Sequence, residues 1–269
     1  MELLQAILLG LIQGLTEFLP VSSSGHLILV PHLLGLEDQG LAMDAILHLA
    51  TVFAIIIYFR RDLSKLLISL LANKKNDPYR QLAWSIVAAS FPAGLAGLFL
   101  GNWIESNLRD STFVASNLMF WSIVFLVADR NSTKKEAESD ELIHLGWRKV
   151  LFIGFAQAIA LLPGTSRSGI TIAAGLFSRL SQPAAARFSF LLGTPIILAA
   201  GLHKTASLMG NASHFLFTPF EFFMAFLVAF VAGYLSIKWL LAIVSRVGLM
   251  PFIIYRVLLA GFIFVYLGQ

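Results

Sequence analysis

The 269-residue chain contains no cysteine. Disulfides, thiolate metal sites and a cysteine nucleophile are therefore excluded, and redox compartment cannot be read from thiols. Charge is also scarce: 13% of residues are Asp, Glu, Lys or Arg, against about 25% in an ordinary soluble domain. With 58% hydrophobic residues and a mean hydropathy of +0.81, the long apolar runs indicate a polytopic helical membrane protein. The length suits one bundle rather than several domains. The N-terminus lacks a basic n-region, having Glu2 instead, and no small-residue cleavage site precedes Pro20. Its apolar start is expected to be retained. Net charge is +4 and pI about 9.5, yet Lys and Arg cluster in a few loops between apolar runs. That is the positive-inside pattern, not a nucleic-acid surface.

What is present is a polar stretch inside this apolar chain. Residues 13–26, Gln-Gly-Leu-Thr-Glu-Phe-Leu-Pro-Val-Ser-Ser-Ser-Gly-His, bring together an acid, three serines and a histidine. Ionisable groups at membrane depth are costly and by default mark a functional site. A second stretch, 157–171, holds Pro163, Gly164, Thr165, Ser166, Arg167, Ser168, Gly169 and Thr171. In each case a half-length apolar run is stopped by proline, followed by a polar turn and a second short run. Neither half reaches the roughly 20 residues of a span. Each pair reads as a re-entrant helical hairpin, tolerated at membrane depth only where backbone is buried or lines a cavity.

Spans are expected over 44–59, 82–103, 113–128, 188–202, 219–243 and 252–267, with an interfacial amphipathic segment at 63–72. Loops are expected at 74–78, 105–111 and 203–218. The halves correspond: Gly10 and Gln13 match Gly154 and Gln157, and Ser22-x-Ser24-Gly25 matches Ser166-x-Ser168-Gly169. Each half contains a hairpin and three spans. An odd number of spans inserts the second copy upside down. The expected fold is therefore all-α and polytopic, with six spans and two re-entrant hairpins. Repeat one covers about 1–128, repeat two about 149–268, and 129–148 is a cytoplasmic linker. Arg60, Arg61, Lys65, Lys74, Lys75, Arg80, Arg130, Lys134, Lys135, Arg148, Lys149 and Arg246 fall on one side, while Arg109 and Lys204 fall on the other. The basic side is the cytoplasmic one, so the first hairpin enters from outside and the second from the cytoplasm.

Arg167 carries a planar fork suited to phosphate. Gly164, Thr165, Ser166, Ser168 and Gly169 surround it with hydroxyls and open N–H groups at a helix start, a favourable anion site. The competing reading is a structural ion pair or a side chain snorkelling to the interface. Gln13 and Glu17, four apart, share a helical face. Glu17 can serve as a base, hold Mg²⁺ or Ca²⁺ through oxygen, or pair with Arg167. His26 lies within reach of a serine hydroxyl or a leaving group, or else is a packing residue. Of Ser22, Ser23 and Ser24, one caps the following helix, and one can be a nucleophile activated by His26 or Glu17. His32, His48, His144, His203 and His214 lack such company and read as structural, and Asp44, Arg187, Lys238 and Arg256 as structural or interfacial. An acid, a histidine, a serine and an arginine within apolar walls suit hydrolysis of a lipid phosphate or pyrophosphate.

At these residues the chain resembles the undecaprenyl pyrophosphate phosphatase family, the bacitracin-resistance proteins. The [Glu/Gln]-x-x-x-Glu motif matches Gln13 to Glu17, and Pro-Gly-x-Ser-Arg-Ser-x-x-Thr matches Pro163 to Thr171 without a gap. The resemblance implies hydrolysis of polyprenyl pyrophosphate to the monophosphate for lipid-carrier recycling. It implies a divalent cation and a site at the outer face of the bacterial cytoplasmic membrane. Glu17, Ser23, His26 and Arg167 would be catalytic. Gln13, Ser22, Ser24, Gly25, Gly164, Thr165, Ser166, Ser168 and Thr171 would bind substrate. Position 13 is Gln, so a metal would rest on Glu17, the phosphates and water. The bilayer and the polyprenyl lipid are the expected partners, with a homodimer as an option. Type 2 phosphatidic acid phosphatases share a Ser-Gly-His piece, but their Lys-x6-Arg-Pro motif is missing here. The alternative function is transport: opposed broken helices also suit a polyprenyl-phosphate flippase.

Overall fold

The first helix is an apolar run of Leu, Ile and Ala with Gln, Gly, Thr and Glu set into it, and Pro20 follows its end. The described residues of the computed structural model form eleven helices: α1 (Glu2–Phe18), α2 (Ser23–Leu33), α3 (Gly40–Tyr58), α4 (Arg60–Leu71), α5 (Pro78–Asn107), α6 (Ser111–Arg130), α7 (Trp147–Ile159), α8 (Arg167–Phe177), α9 (Gln182–Met209), α10 (Pro219–Val247) and α11 (Met250–Tyr266). The structure describes residues 2–36, 39–72, 77–132, 142–143, 145–209 and 216–266. There is no strand among them. The expected loop residues 74–76, half of the linker 129–148 (residues 133–141 and His144), His214 and the side chain of His32 lie outside what is described.

Local chemistry sets several helix starts. Asp77 caps α5 by accepting from Tyr79 N at 2.9 Å, with Pro78 in the first turn. Asp110 caps α6 through Phe113 N at 3.0 Å. Thr218 and Glu221 form a reciprocal capping box on α10, with Pro219 following the cap. Such caps serve N–H groups that have no partner within the helix.

The chain is an all-α polytopic membrane protein. Helices α3, α5, α6, α9 and α10 are long and apolar enough to cross a membrane. The final helix has 17 residues and is shorter than these. Side chains facing outward are large and apolar: Leu98 is 70% and Phe99 80% exposed. Buried positions include Gln13, Glu17, His26, Ser168 and Arg256. An apolar exterior around a polar centre is the arrangement that lipid, rather than water, selects.

Two expected boundaries differ. α9 begins at Gln182 and runs through Met209, so the expected loop from 203 is helical in its first part. Lys204 pairs with Asp44 of α3 at 2.8 Å and fixes that end. α5 likewise continues to Asn107, inside the expected 105–111 loop.

Part of the packing follows an exchange rule, to which the α8–α9, α6–α8, α1–α3 and α9–α10 contacts are exceptions. α1 packs on α10, and α7 on α5. α3 packs on α10, and α9 on α5. α1 meets α2, and α7 meets α8. Swapping α1 with α7, α2 with α8, α3 with α9, α5 with α10 and α6 with α11 turns each of these pairs into another. It maps the α3–α9 and α6–α11 pairs onto themselves. Small residues permit the closest approaches. A Cβ at Gly10, Gly14 or Gly154 would lie 2.6 Å from the carbonyl oxygen of Ala225, Ala229 or Ala89 respectively, so backbones meet there as in other membrane bundles.

Candidate active site

The turns between α1 and α2 and between α7 and α8 have the same local structure. Ser22 and Ser166 both have φ of 74°, a left-handed conformation that costs a non-glycine residue about 1–3 kcal/mol. Each then caps its helix. Gly25 N donates to Ser22 Oγ at 3.4 Å, and Gly169 N to Ser166 Oγ at 3.2 Å. Next to each, Ser24 Oγ lies 3.3 Å from Ser22 Oγ, and Ser168 Oγ 3.2 Å from Ser166 Oγ. The turn delivers the first residue of the following helix, Ser23 or Arg167, toward the opposite turn.

Between them stands Glu17, on the last turn of α1. Its Oε1 accepts from Arg167 Nη2 at 3.0 Å, and its Oε2 accepts from Ser23 Oγ at 2.7 Å. Gln13 Nε2 also donates to Oε2, at 3.2 Å. The Glu17 and Arg167 side chains are 8% and 12% exposed. A pair this buried is balanced rather than strongly stabilising, and removing either partner leaves an uncompensated charge. Gln13 Oε1 is buried with no partner among the described residues.

The two hairpins are stapled together around this centre. Ser168 Oγ donates to Leu19 O at 3.2 Å. Arg256, with no exposed surface, donates to Pro20 O at 3.4 Å, Gly164 O at 2.9 Å and Leu118 O at 3.2 Å. Its Nε reaches Ser122 Oγ at 3.2 Å, and its guanidinium lies 4.8 Å from the centre of the Phe125 ring. A fixed, always-protonated fork is well suited to collecting carbonyls from separate loops.

The structure brings together Gln13, Glu17, Ser23 and Arg167. It separates His26 from them as far as hydrogen bonding goes. His26 Nδ1 lies 2.7 Å from Ser22 O and Nε2 2.7 Å from the Tyr255 hydroxyl. The expected His26–serine hydroxyl contact is replaced by this Tyr255 contact, and the group bonded to Ser23 is Glu17. Ser24 is exposed next to Ser23. The other polar groups of the second turn are committed to the protein. Thr165 Oγ1 accepts from Asn117 at 2.8 Å, and Thr171 Oγ1 lies 2.6 Å from Ser189 Oγ. Gly164 has φ of 89°, and its carbonyl serves Arg256. No group of three or more metal-binding side chains occurs among the described residues.

Several residues around the centre carried no sequence signal. Tyr255 partners His26. Ser189 accepts from Arg167 Nη1 through its carbonyl at 3.4 Å. Gly193 lies against the Arg167 guanidinium, and a Cβ there would fall on it. Asn117 fixes the second turn by donating to Pro163 O at 2.7 Å. All four sit on apolar helices outside the two polar stretches.

Fold and centre together define a polytopic α-helical membrane enzyme, with acid, hydroxyl and guanidinium held where two broken helices meet. The family described as bacitracin resistance protein BacA matches residues 6–262. The chain belongs to that family. It is 41% identical to an undecaprenyl-diphosphatase of Teredinibacter turnerae over 98% of this chain and 99% of the relative. It is also 41% identical to an undecaprenyl-diphosphatase of Saccharophagus degradans, over 98% of both chains. Undecaprenyl-diphosphatase 2 of Stutzerimonas stutzeri is again 41% identical over 98% of both.

Proposed function

We propose that the chain hydrolyses undecaprenyl pyrophosphate to the monophosphate, recycling a lipid carrier for cell-wall synthesis, with Glu17, Ser23 and Arg167 as the reacting centre. The observation that carries the assignment is the Glu17 carboxylate, which holds Ser23 Oγ on one oxygen and Arg167 on the other. Ser23 Oγ attacks the terminal phosphorus while its proton passes to Glu17. The bond from that phosphorus to the bridging oxygen breaks, and the polyprenyl monophosphate leaves. Water then attacks the phosphoserine, releasing inorganic phosphate and restoring the hydroxyl. Arg167 spends one contact on Glu17 and one on Ser189 O. Its remaining N–H groups take phosphate oxygens and stabilise the charge in transfer. His26 and Tyr255 exchange protons at the rim. Names of the relatives specify hydrolysis, so translocation is not carried further.

A divalent cation fits this centre sparsely. Gln13 Oε1 is an unpartnered buried acceptor, and the Glu17 carboxylate lies beside it. Both are hard oxygen ligands, and phosphate oxygens and water would complete the shell of Mg²⁺ or Ca²⁺. When bound, the ion would neutralise pyrophosphate charge. In this reading α1–α2 and α7–α8 are re-entrant hairpins of an inverted repeat, 1–128 and 149–268, joined by 129–148, with α11 as the sixth span. The exchange rule in the packing supports it. The protein sits in the bacterial cytoplasmic membrane, with Ser23 and Ser24 open to the outer side and the basic loops in the cytoplasm.

The test is phosphate release from polyprenyl pyrophosphate by purified wild type, Glu17→Gln and Arg167→Lys, with and without chelator. Wild type releases phosphate, and both variants lose most of the rate. Near-normal kcat/KM in Arg167→Lys would overturn the clamp. Activity intact in chelator would remove the metal.

A further inference from the structure

A second group of cations lies away from the Glu17–Arg167 centre, at the basic end of the bundle. Tyr58 closes α3, Arg60 and Arg61 open α4, and Tyr234 and Lys238 lie one turn apart on α10. With Asp62 they line a cavity of about 460 Å³. Its only carboxylate, Asp62, is already paired with Arg187 at 2.5 Å. Arg60 donates to Ile57 O at 3.3 Å. Arg61 and Lys238 have no acidic partner among the described residues. Three cations therefore share an open recess with no uncommitted acid among the described residues.

Excess positive charge on this face is ordinary for a membrane protein. The grouping of three such cations with two tyrosines around one recess is not explained by that rule. The Tyr58 and Tyr234 rings stand 5.3 Å apart, and their hydroxyls add donors to those of the cations. Apolar surface flanks the cavity. Leu67, Ile68 and Leu71 are exposed on α4, and Leu235 and Trp239 are exposed beside Lys238 on α10. A basic recess between helices, bordered by apolar side chains at the membrane edge, suits a phosphate head group with acyl chains attached.

An aromatic chain separates this recess from the reacting centre. Tyr58 and Phe59 are 5.0 Å apart, Phe59 and Phe190 5.9 Å, and Phe190 and Phe18 5.7 Å. Phe18 follows Glu17 directly and is fully buried. The recess is thus a separate site, closed off from the chemistry.

We propose that the Tyr58–Arg60–Arg61–Tyr234–Lys238 recess binds a phosphate-bearing anion, the head group of an anionic phospholipid of the leaflet at the basic end. Free phosphate shares the same chemistry, and the test separates the two sources. The thermal midpoint of the full chain is followed in phosphatidylcholine nanodiscs while phosphatidylglycerol is titrated in, and separately while inorganic phosphate is added. Wild type, Arg61→Gln/Lys238→Gln, and Arg148→Gln/Lys149→Gln are compared. The last pair is exposed at the start of α7 on the same face, outside the recess. Phosphatidylglycerol should raise the midpoint of wild type and of the α7 pair. The recess pair should need roughly thirtyfold more lipid for the same shift, since each juxtamembrane cation contributes about a fivefold factor. A midpoint raised equally by inorganic phosphate, and lost in the recess pair alone, assigns the site to free phosphate instead of lipid. No response in wild type, or the same loss in the recess and α7 pairs, overturns the proposal. Phosphate release by the recess pair stays at the wild-type rate.

Discussion

The α1–α2 and α7–α8 hairpins share a backbone but not a chemistry. Both have a half-helix, a proline, a serine at φ 74° that caps the next helix, and a glycine three residues later. Two of the positions at which they diverge lie in the reacting centre. The first hairpin has Ser23 where the second has Arg167, and Glu17 where the second has Leu161. The glutamine one turn earlier is retained in both. In the first, Gln13 donates to Glu17. In the second, Gln157 is buried with neither end of its amide partnered among the described residues. One fold has thus been divided between a hydroxyl-and-acid half and a cation half. The comparison teaches that the turn is the scaffold and the residue after the left-handed serine is the tool.

Substitutions at the divergent positions should have the largest effects. Arg167→Lys keeps the charge but loses the fork, and kcat/KM for phosphate release should fall by about 10²–10³-fold, as when one stabilising donor is removed. Glu17→Gln should lower kcat by roughly 10²–10⁴-fold, the usual worth of a positioned base, and Ser23→Ala should do the same or more. A Ser23→Ala protein with near wild-type kcat would assign the attack to water. Tyr255→Phe should cost about five- to tenfold in kcat, the value of one hydrogen bond, with KM little changed. An unchanged rate would make the His26–Tyr255 contact packing alone. The smallest effect tests the retained glutamine. Gln157→Leu should raise thermal stability by about 1–3 kcal/mol, because it removes an unpaired buried amide, and leave activity intact. Gln13→Leu should lower activity, since it strips a donor from Glu17. If both glutamine variants behave alike, the division of labour between the hairpins is wrong.

Much of this was readable in advance. Length, composition and the two prolines gave an all-α membrane bundle with broken helices. The four-residue spacing put Gln13 beside Glu17, and the Ser/Gly-rich turn marked Arg167. The position of Arg167 next to Glu17 follows from two turns of the same shape facing one another. What could not be read was the support. Tyr255, Ser189, Gly193 and Asn117 lie on apolar spans, and nothing local separates them from neighbours that face lipid. Arg256 read as structural or interfacial, because an arginine on an apolar span can pair internally or snorkel. Only three-dimensional packing shows its bonds to three carbonyls. The hydrogen-bond partner of His26 was hidden for a related reason. Sequence proximity suggested a serine partner, whereas the helix turns its ring toward Tyr255, more than two hundred residues away. The end of α9 was missed because the Lys204–Asp44 pair that holds it joins residues far apart in the chain.

The Glu17–Arg167 contact also bears on selectivity. With its carboxylate already seated on the guanidinium, Glu17 cancels part of the attraction that Arg167 offers an anion. In the proposed reading a phosphate takes the N–H groups that remain, beside a carboxylate that repels it. A small soluble anion has only its own charge to set against that repulsion. A ligand with a long hydrocarbon tail arrives already concentrated by the bilayer. In that reading the ion pair filters for lipid-borne phosphates, and the substrate's tail, not its head, admits it.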